Sequence, residues 1–147
     1  MARTRFGLAA ALALMSPMPL AAEPVQAGAM PAEFKAQLDA QYDRIIADLI
    51  RITETPAPPF KEHKRAELFA QMLRDAGLKD VSIDEEGNVL ALRPGQSDGP
   101  VFVVSAHLDT VFPEGTPITV TRQGDRLLAP GIGDDSLGLA SILAWIR

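Results

Sequence analysis

Two short segments of this 147-residue chain carry the side chains that could do chemistry. In the first, Ser105-Ala-His-Leu-Asp-Thr-Val111, His107 and Asp109 stand two residues apart. In extended backbone such a pair projects to one side, so an imidazole and a carboxylate would face the same space. A neutral imidazole ligates zinc well, and a carboxylate beside it fixes the tautomer and raises ligand basicity. A bare His-x-Asp is also explained by a capping histidine and a turn aspartate. The second segment, Gly131-Ile-Gly-Asp-Asp-Ser-Leu-Gly138, sets Asp134 and Asp135 side by side in a glycine-rich turn ahead of a helical pattern. Capping the helix accounts for Asp135 but not for both aspartates. Carboxylates can bridge cations, and two-metal hydrolases hold their ions ~3.5–4 Å apart to clamp a water and a carbonyl oxygen. An aspartate held in a tight loop beside a strand-end histidine could be such a bridge.

The elements around these segments follow from periodicity and breakers. Val101-Phe-Val-Val-Ser-Ala106 is apolar almost throughout, which predicts a buried central strand. His107 would then lie at its C-terminal end, where α/β proteins place their sites. A first helix is expected from Pro31, with Leu38, Tyr42, Ile45, Leu49 and Ile52 as its apolar stripe. Three prolines between Thr53 and Phe60 stop it. A second helix is expected from Lys61 to Ala76, with Phe69, Met72, Leu73 and Ala76 inward and Gly77 as its left-handed cap. Two hairpins follow from turn chemistry. One joins 81–83 to 89–92 through Asp84-Glu-Glu-Gly-Asn88, and the other joins 119–123 to 126–128 around Gly124-Asp125. A third helix should run from Ser136 to Arg147 with Leu137, Ala140, Leu143 and Ala144 on one face. No stop signal closes that helix, and the strands are few for a finished sheet. The expectation is therefore an α/β fold that is the N-terminal piece of a longer catalytic domain.

Composition narrows the function classes. Hydrophobic residues at 47% and charged residues at 22% fit a globular chain rather than a disordered one. A net charge of −5 without a basic cluster gives nucleic-acid binding no electrostatic support. With no cysteine there is no thiolate nucleophile, so a metal must be held by His, Asp and Glu, as catalytic sites do. Arg3 and Arg5, the apolar run 6–15, the prolines Pro17 and Pro19 and the small residues after them have the order of a cleaved secretory signal. Cleavage is expected after Ala22, or as late as Ala27, leaving residues 31–147 as the catalytic part and a secreted or periplasmic product. No other stretch is long enough to span a membrane.

Taken together, the two segments resemble the paired signature of the M20 family of metallopeptidases, whose relatives include glutamate carboxypeptidases, aminoacylases and tripeptide aminopeptidases. The loop 55–60 and the turn at Gly87-Asn-Val89 fit the start of that family's catalytic domain, so the resemblance covers most of 31–147. It implies a three-layer fold with a central mixed sheet and a site of two Zn2+ ions, with Co2+ or Mn2+ as alternatives. It also implies a peptide or N-acyl amino acid substrate and a homodimeric parent enzyme. His107 would ligate one zinc, Asp134 would bridge both, and Asp109 would orient His107 as the supporting catalytic carboxylate. Asp135 would be structural. Ser136 departs from the lysine of many relatives. The family's Glu-Glu pair, further acidic ligand and late histidine have no counterpart after Asp134, so the 147-residue chain alone is expected to be inactive. Glu85-Glu86 reads as a solvated turn and His63 as a surface residue of the second helix. The competing readings are a secreted, non-catalytic binding module of the same fold and a phosphatase-like hydrolase using Asp109 as nucleophile. The latter lacks a phosphate-cradling loop.

Overall fold

The computed structural model describes residues 30–96 and 99–147; the expected signal segment lies outside them. Helix α1, Ala32–Thr53, begins after Pro31, which stands just outside the first turn at φ −54° and ψ 136°. Its C-terminal half carries the packing, with Leu49, Ile52 and Thr53 buried, whereas Tyr42 is exposed. Helix α2, His63–Asp75, starts two residues later than expected and buries Phe69, Met72 and Leu73. Its end is a Schellman cap. Gly77 has φ +99°, its N–H donates to Arg74 O at 2.9 Å, and Leu78 N–H donates to Leu73 O at 3.2 Å.

Both hairpins form. Strands β1 (Val81–Ile83) and β2 (Val89–Ala91) pair antiparallel with Ser82 opposite Leu90, and they lean on α2. The Asp84 carboxylate organises their turn, accepting from Asn88 N and Nδ2 at 2.8 and 3.0 Å and from Glu86 N at 3.1 Å. These bonds, that of the Asn88 side chain first, hold the Asp84 carboxyl below the usual carboxylate range. Strands β3 (Thr121–Gln123) and β4 (Arg126–Leu128) pair around Gly124-Asp125. The Glu54 carboxylate accepts from Val120 N at 2.9 Å, tying this hairpin to the end of α1.

The core is where α1, α2 and α3 (Leu137–Ile146) meet: Leu49, Ile52, Phe69, Met72, Leu73, Leu139, Ala140 and Leu143. The expected face of α3 is therefore corrected. Leu139 is buried, while Leu137 is 48% exposed and Ala144 is only partly covered. The turn before the helix sets its phase, and that phase points 139, 140 and 143 at α1.

The central strand is a second correction. Among the described residues, 101–106 pair with no strand, and each hairpin closes on itself as a two-stranded sheet. Val101, Phe102 and Val103 are 79–82% exposed; from Ala106 onward the segment packs on the core. An apolar run becomes a buried strand only where neighbouring strands accept its ladder bonds and cover its faces. The described residues supply none, so neither a central mixed sheet nor three layers appear. The architecture they show is mixed helix and small antiparallel sheets.

Candidate metal centre

The proline-rich loop after α1 is the floor of the site. Pro56, Pro58 and Pro59 donate no backbone hydrogen bonds, and the carbonyl of Ala57 accepts from the 107–110 segment. Thr110, 7% exposed, donates to Ala57 O from its N–H at 2.9 Å and its hydroxyl at 3.2 Å. Arg65 donates from Nε and Nη2 to Thr55 O at 3.1 and 2.8 Å, and from Nη1 to Leu108 O at 2.9 Å. Burial lowers the Arg65 pKa from its usual value, and the charge of Asp109 opposes that shift.

The Asp134 loop approaches from the other side. Gly131 takes φ +75°, and a Cβ there would stand 2.9 Å from Thr110 Cγ2. Only a residue without a side chain lets the two loops come this close. Asp134 and Asp135 are not helical, at φ −133° and −123°, and the peptide between them is cis. Ser136 already has helical dihedrals, so Asp135 caps α3: its Oδ1 accepts from Gly138 N at 3.1 Å. Its Oδ2 accepts from His107 N, also at 3.1 Å. Sequence reasoning expected the cap but missed this second bond.

His107 therefore sits between three carboxylates. Its Nε2 lies 2.9 Å from Asp134 Oδ1, and its Nδ1 lies 3.1 Å from Asp109 Oδ1 and 3.0 Å from the Asp109 carbonyl. The bond to Asp134 is the largest influence raising the His107 pKa above its ordinary value; partial burial opposes it, and Asp109 and Asp135 add to it. The imidazole is half exposed and the Asp134 side chain is 88% exposed. An open groove of about 810 Å³ runs past His107 and Asp109, lined also by Phe60, Glu85 and Glu86. A smaller hollow of about 280 Å³ lies on the Asp134 side.

These donors fit a zinc ion as two of its ligands. Imidazole nitrogen and carboxylate oxygen are zinc's usual partners, and bonds of ~2.0–2.2 Å separate neighbouring tetrahedral ligands by about 3.3 Å. The 2.9 Å between Nε2 and Oδ1 needs only a small opening. Asp109 on Nδ1 leaves Nε2 as the ligating atom. Among the described residues no group of three or more His, Cys, Asp or Glu converges to hold a metal. His63 sits apart on the surface beside Glu67, at 3.1 Å.

Comparison with known proteins agrees with the chemistry. Residues 88–147, which hold both segments, match the model of peptidase family M28. A Peptidase T-like protein of Yersinia pestis is 43% identical over 51 residues, covering 34% of this chain. The matched stretch spans 12% of that relative's length. The matched family is M28, which differs from the M20 family that the sequence resembles, and the likeness common to both is to zinc-peptidase-like hydrolases.

Proposed function

We propose that this chain contributes His107, Asp109 and Asp134 to the two-zinc site of a hydrolase that cleaves peptide or N-acyl amide bonds. The observation that carries the reading is the His107 imidazole, held between Asp109 on Nδ1 and Asp134 on Nε2. The peptidase-family match over the same residues supports it.

His107 would bind one metal through Nε2, and Asp109 would keep the proton on Nδ1. Asp134 engages only Oδ1 among the described residues, and its other oxygen would reach a second metal. Asp135 would take no metal: both its oxygens are used, holding His107 N–H and the first turn of α3. Bound zinc would bring the pKa of its water towards neutrality and polarise a substrate carbonyl.

The finer reading is an M20-type, three-layer catalytic domain in a secreted or periplasmic enzyme, dimeric as in that family. The groove beside His107 would receive the peptide or N-acyl amino acid. A second reading, a non-catalytic secreted binding module, is favoured by one observation: only two ligands converge among the described residues. Calorimetry with zinc tests the half-site. The 147-residue chain should bind zinc weakly, through His107 and Asp134, and lose the binding in His107→Ala and Asp134→Ala. Two tightly bound zinc ions per chain, or binding indifferent to both substitutions, would contradict the proposal.

A further inference from the structure

Arg65 is the largest fully buried side chain in the described structure, at 1% exposure. It lies on the inward face of α2, four residues before Phe69 and seven before Met72, where the packing calls for an apolar side chain. A guanidinium is tolerated there only if its donors are satisfied, because an unpaired buried charge is strongly unfavourable. Its acceptors are not in the helical core. They are the carbonyl of Thr55, on the proline-rich floor, and the carbonyl of Leu108, between the two residues of the His-x-Asp pair.

We infer that Arg65 is a positioning residue for the metal centre, fixing the Leu108 carbonyl and with it the direction in which His107 and Asp109 project. Anchoring that carbonyl fixes the peptide plane that joins Leu108 to Asp109. The planar fork holds three donors in fixed directions across two loops, whereas a lysine ammonium would present its three from one freely rotating point. This inference rests on the metal-centre reading proposed above.

The test compares zinc affinity, measured by chelator competition, in the unsubstituted chain, Arg65→Met, Arg65→Lys and the core variant Met72→Ala. Each is studied below its own melting temperature. The 13C resonance of the Leu108 carbonyl is followed in parallel. Loss of groups that orient a ligand lowers metal affinity about 10- to 100-fold, and that loss is expected for Arg65→Met together with a moved Leu108 carbonyl resonance. Arg65→Lys, which keeps the charge and one donor group, should fall between. Met72→Ala, also destabilised, should bind zinc as the unsubstituted chain does. Unchanged affinity in the folded Arg65 variants, with the Leu108 resonance moved, overturns the inference alone. Equal losses in Met72→Ala also overturn it, since the effect is then general instability. Absence of zinc binding by the unsubstituted chain overturns the metal reading and this inference with it.

Discussion

Replacing Gly138 by alanine should destabilise the protein, against the sign that helix propensity gives. A Cβ on Gly138 would stand 2.0 Å from Asp135 Oδ1 and 2.6 Å from its Cγ, so the carboxylate must leave. It then gives up the bond from Gly138 N and the bond from His107 N. Propensity alone favours alanine by at most about 1 kcal/mol. Losing the cap costs about 1 kcal/mol, and losing the bond to His107 costs about 1.5 kcal/mol, the low end for a charged partner at a partly exposed site. The expected net effect is a destabilisation of about 1.5 kcal/mol. Urea unfolding followed by far-ultraviolet circular dichroism measures it, with the midpoint falling and the slope unchanged. A double-mutant cycle isolates the cause: once Asp135→Ala has removed the carboxylate, Gly138→Ala should become neutral or stabilising. A Gly138→Ala variant at least as stable as the parent chain, or the same loss with and without Asp135, would refute the reasoning.

Two further outcomes follow from the packing and the first hairpin. Leu143, fully buried, should cost about 2–5 kcal/mol as alanine, whereas Leu137, half exposed, should cost within about 0.5 kcal/mol. A loss at Leu137 as large as that at Leu143 in urea unfolding would restore the face expected from sequence. Because the folded Asp84 carboxyl lies below its ordinary value, its contribution is fully present above an unfolded pKa of about 3.9 and is lost as pH falls through the lower folded value. Amide-exchange protection of Asn88 should therefore fall below about pH 4, and Asp84→Asn should flatten that dependence. Protection that stays constant down to pH 2 in the parent chain would contradict it.

Features fixed by neighbours in sequence were legible before the fold. Gly77 after an apolar stripe announced a left-handed cap, and Asp84 to Asn88 announced a turn. Asp135 before an apolar run announced a cap. In each case the groups that satisfy one another lie within five residues. The same holds for His107 and Asp109, which extended backbone brings to one side. Features set by partners distant in the chain were not legible. Residues 101–106 have the composition of a core strand, but a strand is made by its neighbours, and the described residues offer it none. The phase of α3 came from the Asp134-Asp135 turn rather than from its own leucines. The contact between Asp134 and His107 depends on two loops meeting where Gly131 faces Thr110, and the paired motifs hinted at it without its geometry. Arg65 is charged, and a charge by itself gives no sign of burial. Its register with Phe69 and Met72 was the available signal, and the long-range carbonyls that make it tolerable were not.

Nitrogen-15 NMR of the imidazole side chains during a zinc titration tests most directly whether His107 and Asp134 hold a metal together. The chain has two histidines, so both can be followed in one spectrum. Zinc should move the Nε2 resonance of His107 to a metal-bound position while Nδ1 keeps its proton against Asp109, leave His63 unmoved, and lose this response in Asp134→Ala. Zinc that shifts His63 first, or that shifts His107 equally without Asp134, would contradict a shared site.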